Sequence, residues 1–370
     1  MIYGSIGRVF GLLCAVTGAA TAVARADDAS NDRVIAEKTE IIATDPTNAT
    51  AYELRGEAYY LKHDWNHAFE DCGAAIRIDP NFGRAYHCRG RSYSAKGDRN
   101  HAMADYNEAI RLDPNYGASY VSRAQEYFNQ RDFDLAIADF TEAVQRSPTQ
   151  AYRALVMRGE AYAAKGDNDR AFADYTEAMQ RNPVAARPYE LRSTIHSIKG
   201  EIDAALDDCD SAIRLEPGNA GGHYCRAMVF LKKDDTDSTI RELDDVTRIM
   251  PSFARAYLVR AVVLHQKGDD KRALADFDEA IRLQPGNWEV YKDRAGVFRD
   301  MGLHEAALAD YKEALRLDPK NQDVLVNRGL LYMMMSDPKH AREDFNSVLA
   351  LPPTDKWAMD TAREGLGFLK

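Results

Sequence analysis

After its first 26 residues this chain has no stretch apolar enough to cross a membrane and no clustered basic tract. It also has no His/Cys spacing of the zinc kind, no phosphate loop and no nucleophile elbow. These absences exclude an integral membrane protein, an electrostatic nucleic-acid binder, and the enzymes that leave such short signatures. Charge agrees, because 58 acidic against 48 basic side chains give a formal net charge of −10, unsuited to a polyanion. Cysteine is scarce, with five in 370 residues. Proline is scarce too, at 13, but its placement is regular enough to organise everything else.

Pro46, Pro80, Pro114, Pro148, Pro183, Pro217, Pro251, Pro285, Pro319 and Pro353 are 34 residues apart, except for one step of 35 between Pro148 and Pro183. A fixed period of this length is the trace of stacked helical hairpins, since each unit must present the same faces to its neighbours. With proline at position 32, nine repeats span 49–82, 83–116, 117–151, 152–185, 186–219, 220–253, 254–287, 288–321 and 322–353. Position 4 is usually aromatic and position 8 small, while position 20 is alanine in eight of nine repeats and position 27 in seven. Small residues at 8, 20 and 27 let two helix backbones approach, and larger ones at 4, 11 and 24 fill the space around them.

The spacing of aromatic, small residue, tyrosine, alanine and proline resembles the tetratricopeptide repeat family, over more than 300 of the 370 residues. The resemblance implies an all-α, right-handed superhelical solenoid of nine hairpins with partial capping units at both ends. Lys96-Gly97-Asp98, Lys165-Gly166-Asp167 and Lys267-Gly268-Asp269 put glycine where a first helix stops in a left-handed turn. Two columns depart from the family pattern. Position 7, usually leucine, is arginine in all nine repeats (Arg55, Arg89, Arg123, Arg158, Arg192, Arg226, Arg260, Arg294, Arg328), and position 23 is acidic in all nine. We expect a structural ladder in which each arginine reaches a carboxylate of its own repeat or of the one before.

The ends differ in kind. Arg8, the apolar run from Val9 to Val23 and the Ala24-Arg25-Ala26 site read as a signal peptide over 1–26, cleaved after Ala26, which places the mature chain in a periplasm or outside the cell. Residues 27–48 match the second half of a repeat and 354–370 begin another first helix, so both are expected to cap the stack. Cys72 and Cys209 occupy position 24 of the first and fifth repeats, and Cys88 and Cys225 position 6 of the second and sixth. Two readings stay open for them: a pair of disulfides, each contributing about 3 kcal/mol by loop closure, or four buried thiols.

In this family the first helices line the concave side, with positions 2, 5, 9, 12 and 13 facing the groove. There the second repeat offers a basic spot of Arg84, His87 and Arg91, and Phe128 is an exposed ring in the third. Repeats six and seven offer an apolar stretch of Tyr224, Met228, Leu231, Leu258 and Val262, and the ninth adds Leu330, Met333 and Met334. Such groups suit apolar anchoring of a peptide. The lysine and asparagine set with which some family members grip chaperone tails is missing from any three consecutive repeats. The sixth repeat is the least regular, with Thr239 and Val246 in alanine columns and Gly221-Gly222 at its start, and we expect a hinge or docking seam there. No residue set for a catalytic centre, metal or cofactor is expected. The reading is a non-catalytic adaptor in a bacterial cell envelope, binding a protein or peptide partner in its groove, without nucleic acid and without a membrane span once the leader is removed. The alternative is a wall-associated module that binds glycan through Tyr60, Phe128 and Tyr224, or that regulates a cell-wall enzyme.

Overall fold

A computed structural model describes residues 21–353 and 355–369, and these contain twenty helices and no strand. The chain divides into two compact units, residues 1–225 and 226–370, and the division falls inside the first helix of the sixth repeat, Ala220–Lys232. In the first unit every helix packs on the one before and the one after along the four repeats that follow Thr21–Thr44. The first helices of these repeats, Ala49–Leu61, Gly83–Ala95, Gly117–Asn129 and Pro148–Ala164, also touch one another and form a continuous inner layer. In the second unit the same pairing runs from Ala254–Gln266 to the final helix, Lys356–Phe368, which packs on both helices of the ninth repeat. Its residues Ala358, Met359 and Ala362 are buried there, so the expected C-terminal cap forms.

The packing columns behave as their residue types dictate. Position 24 is the centre of each hairpin, and Tyr106, Phe140, Tyr175, Phe277, Tyr311 and Phe345 are all at most 2% exposed. Where position 8 is glycine the ring lies directly against it: a Cβ on Gly90 would stand 2.8 Å from the Tyr106 ring. Alanines of columns 20 and 27 are sealed, Ala136 and Ala143 among them. Position 15 adopts a left-handed backbone in all nine repeats, as glycine at Gly97, Gly166, Gly200, Gly268 and Gly302 but as His63, Arg131, Asp234 and Ser336 in the rest. After that turn an aspartate opens most second helices, and Asp64, Asp98, Asp167, Asp235, Asp269 and Asp337 each accept the backbone N–H three residues on.

Two expectations need adjusting, and a third lies largely outside the described residues. The step of 35 residues lets Pro148 start a helix instead of following one: Phe133–Arg146 ends at Ser147, and Pro148–Ala164 begins four residues ahead of the expected repeat. Proline suits that first position, where its missing N–H would have no partner in any case. The leader falls largely on residues 1–20, outside the described ones, and the helix Thr21–Thr44 runs through the expected cleavage site. Gly221 and Gly222, expected to loosen the helix start, sit instead at close contacts. They allow close approach, since a Cβ on Gly221 would collide with the Glu190 carboxylate and one on Gly222 would stand 2.8 Å from Ile213.

The arginine ladder forms, and every rung stays within its own repeat. Arg123 Nε and Nη2 donate to Asp139 at 2.7 Å each, and the same two-point fork joins Arg55 to Asp71, Arg192 to Asp208, Arg260 to Asp276 and Arg328 to Asp344. In several repeats the remaining nitrogen reaches position 25 of the preceding repeat. Arg123 Nη1 donates to Asn107 at 2.6 Å, Arg158 to Thr141 at 3.0 Å, Arg260 to Asp244 at 2.7 Å and Arg294 to Asp278 at 2.5 Å. One side chain therefore closes its own hairpin and ties it to the previous one.

Candidate peptide-binding face

The inner layer of the first unit is lined by side chains from positions 2, 5, 9 and 12, and polar groups dominate it. From the first helix of the first repeat come Glu53, Glu57 and Tyr60, and from that of the second Arg84, His87 and Arg91. Arg91 pairs with Glu57 and lays its guanidinium over the Tyr60 ring, 3.8 Å from the centroid. Arg84 lies over Tyr116 at 5.2 Å, with its Nε 3.7 Å from Glu53 Oε1. His87 Nε2 is 3.0 Å from the Ser122 hydroxyl, and the ring meets Tyr116 edge-on at 5.2 Å.

Burial sets the charge state of this cluster. Glu53 is 1% exposed and neither of its oxygens has a hydrogen-bond partner, so desolvation pushes its carboxyl up to about 7, against the pull of Arg84 and with help from Glu57. His87 is equally buried, and desolvation followed by the charges of Arg91, Arg84 and Arg153 pushes its imidazole down to about 3. Arg153, at position 2 of the fourth repeat, is open to solvent at its rim, while desolvation and then Arg91 hold its guanidinium below the usual range. Further along, Arg187 joins Glu160 at 2.8 Å and Glu190 at 3.4 Å, and burial raises the Glu190 carboxyl.

The second unit is built differently. Met228, Leu258 and Val262, expected in the groove, are at most 8% exposed, and Tyr224 in the first unit is buried as well. This corrects the expected apolar stretch: where successive first helices carry large apolar residues at positions 5 and 9, those residues pack into the core. Leu231 is half-buried, while Leu330 and Met333 pack against the C-terminal core and only Met334, 58% exposed, remains free of it. The polar groups that line this unit are paired. Lys292 sits 2.8 Å from Asp323 and 3.4 Å from Asp293, and Arg255 meets Glu289 at 2.8 Å. Burial opposes the Lys292 ammonium, but the two aspartates outweigh it and hold the amine above its usual range.

Among the basic residues expected in the groove, Arg84, His87 and Arg91 are brought together, although His87 is too buried to meet a ligand. Phe128 is half-buried with its ring 5.4 Å from Phe133. Sequence reasoning missed Glu53, Glu57, Arg153, Glu190 and the Lys292 network. Their signal was present in positions 2, 5 and 9, where charge replaces the apolar residues of other repeats. The cysteines pair as their spacing suggested, Cys72 with Cys88 at a Cα separation of 5.9 Å and Cys209 with Cys225 at 5.7 Å, both within reach of a disulfide. No helix among the described residues is long and apolar enough to cross a membrane.

Comparison with known proteins completes the picture. Models of the tetratricopeptide repeat match residues 83–116, 121–186, 156–220 and 224–287, and a TPR repeat model matches 295–336. No curated protein matches the chain. Among solved structures, a tetratricopeptide repeat protein from Parabacteroides merdae is 19% identical with a TM-score of 0.51, over 68% of this chain and 98% of its own. The Cut9–Hcn1 hetero-tetramer of the APC/C gives 15% identity and a TM-score of 0.55, over 86% of this chain and 76% of the other. PilF from Pseudomonas aeruginosa gives 16% and 0.51, over 59% and 99%.

Proposed function

The chain belongs to the tetratricopeptide repeat family, and from that premise we propose that it is a non-catalytic scaffold that binds an extended segment of a partner protein along the inner face of repeats one to five. One observation carries this reading. The packing columns are consumed by the core and by the arginine ladder, whereas positions 2, 5 and 9 of the first unit differ from repeat to repeat and turn charged groups inward. A preformed helical frame meets most of the ordering cost before a partner arrives. The Val9–Val23 leader and the two cysteine pairs support residence in a periplasm or outside the cell, where such pairs oxidise.

The glycan-binding alternative needs exposed rings on which sugars can stack. Tyr60 is covered by Arg91, Phe128 leans on Phe133 and Tyr224 is buried, so the aromatic groups that reading depends on are already occupied. The test is a photo-crosslinking residue placed at Gln125, on the inner side of the third repeat, with a second at Glu70 on an outer helix as control. One partner protein should be captured from Gln125 and not from Glu70 in cells. Capture from Glu70 alone would move binding off the inner face.

A further inference from the structure

Position 5 of the first helix is apolar in most repeats, and elsewhere a charge there is matched: Lys292 has Asp323 at 2.8 Å and Glu190 has Arg187 at 3.4 Å. Glu53 departs from that rule. It is 1% exposed, neither oxygen has a hydrogen-bond partner among the described residues, and its ion partner, Arg84 Nε, stands 3.7 Å away. Glu57 lies one turn further along the same helix, Ala49–Leu61, so the two carboxyls share a face. One Glu57 oxygen meets Arg91, while Oε1 is buried without a hydrogen-bond partner and faces His87 Nδ1 at 3.9 Å. That nitrogen is unpartnered too. With the proton on Nε2, 3.0 Å from the Ser122 hydroxyl, the neutral ring presents Nδ1 as an acceptor.

Four buried acceptors, Glu53 Oε1 and Oε2, Glu57 Oε1 and His87 Nδ1, thus lie between the first helices of the first two repeats without a bonded donor. Such burial destabilises the fold unless a donor reaches them. Arg84 covers the group. Its half-exposed guanidinium lies over Tyr116, the ring that also meets His87 edge-on, and at 3.7 Å it is too far from Glu53 for a hydrogen bond. With Arg84 where it lies, Glu53 and His87 are sealed, so the site opens only when that guanidinium swings out to solvent.

We propose that Glu53, Glu57 and His87 form a cation-receiving subsite that takes the ammonium of a lysine side chain from the partner segment, with Arg84 as its displaceable cover. This rests on the reading of the inner face as the peptide-binding surface. A lysine ammonium is compact and carries three donors and no acceptor, which matches three groups that offer it acceptors only. Glu57 Oε1 and His87 Nδ1, 3.9 Å apart, can share one ammonium whose bonds run to about 2.8 Å each. A formal net charge of −10 draws a basic segment toward the chain. As the ammonium enters, Glu53 releases to solvent the proton that burial lets it keep near neutral pH.

The experiment uses the full chain and fluorescence anisotropy of a short peptide of alternating Lys and Gly, labelled at its N-terminus and amidated at its C-terminus. Arg–Gly and Gln–Gly peptides serve as comparisons. The Lys peptide should bind, the Arg peptide more weakly and the Gln peptide not at all. Affinity for the Lys peptide should rise from about pH 6 to about pH 8 as Glu53 ionises. Glu53→Gln should weaken Lys binding by about tenfold or more and abolish that rise, whereas Glu70→Gln on an outer helix, an equal change of charge, should alter neither. Arg84→Gln should tighten binding about threefold by removing the competing cation. Glu53→Gln keeps the shape of the side chain and should melt no lower than the wild type, which separates lost binding from lost folding. Equal binding of the Lys and Gln peptides, a preference for the Arg peptide, an unaltered affinity in Glu53→Gln, or weaker binding in Arg84→Gln would overturn the subsite and leave its acceptors to ordered water only. Absent Lys binding with capture from Gln125 intact removes the subsite alone. Glu53-dependent Lys binding without capture from Gln125 keeps the subsite and removes the extended inner-face reading.

Discussion

The two compact units share one packing scheme and one arginine ladder, but they treat charge on their inner sides in opposite ways. In the first, Glu53 and His87 are buried with an ion partner no nearer than 3.7 Å, and desolvation works against the charge of both, while Arg153 has no acid paired with it among the described residues. In the second, apolar residues withdraw into the core and the remaining charges are matched, Lys292 with two aspartates and Arg255 with Glu289. The lesson is that a repeat frame can be functionally blank or functionally loaded without altering its packing. Cysteine follows the same division, since both pairs lie in the first unit.

Substitutions can test how real that division is. The largest effect is expected from Lys292→Met, which leaves the half-buried Asp293 and Asp323 without their cation and should cost about 3 kcal/mol in urea unfolding. Arg153→Gln should cost almost nothing in the same assay, and similar losses from both would erase the contrast. Glu53 comes next. Its folded pKa of about 7 lies above the ordinary glutamate value of 4.5, so its contribution to stability is complete below pH 4.5 and is lost as pH rises through 7. Glu53→Gln should therefore stabilise the chain at pH 8 to 9, by a value on the order of 3 kcal/mol, and leave it unchanged near pH 4. A constant difference across that range would remove the buried-acid account.

Reduction should separate the units more directly. Dithiothreitol is expected to lower the stability of the first unit by about 3 kcal/mol per bridge, read as faster hydrogen exchange across residues 49–225 with 226–370 unaffected. No change on reduction would mean that the cysteines are thiols. The smallest effects are local repairs in the second unit. Leu303 stands where other repeats place a capping aspartate and makes no cap bond, so Leu303→Asp should add about 1 kcal/mol. Ser336→Gly, at a φ of +58°, should add roughly 0.5–1 kcal/mol by relieving a left-handed backbone. Both are measured by thermal melts, and a loss in either would mean that the turn is held by contacts of its present residue.

How much of this could be read in advance depended on which columns vary. Packing columns repeat nine times, so their chemistry averages into an unmistakable pattern, and the position 7 to position 23 rungs were legible for the same reason. The third nitrogen of each arginine was not, because position 25 is Asn107, Thr141, Asp244 or Asp278 by turns and only geometry shows them as equivalent acceptors. The candidate face was half legible. Arg84 and Arg91 stood out as basic, whereas the withdrawal of Leu258 and Val262 depends on how closely neighbouring first helices approach. Pro148 misled because proline both follows helices and begins them, and one inserted residue decides which.

The third arginine nitrogen has a mechanical consequence. Arg89 faces Gly73 and Arg328 faces Lys312, so neither makes this cross-repeat bond, and polar pairs on the inner side tie these two junctions instead, Arg91 with Glu57 at the first and Lys292 with Asp323 at the second. The first of them is also where Cys72 meets Cys88, at a Cα separation within reach of a disulfide. The junction between the eighth and ninth repeats has no cysteine pair and hangs on the Lys292–Asp323 pair, so under tension or heat Lys292→Met should let the ninth repeat and its closing helix peel away first.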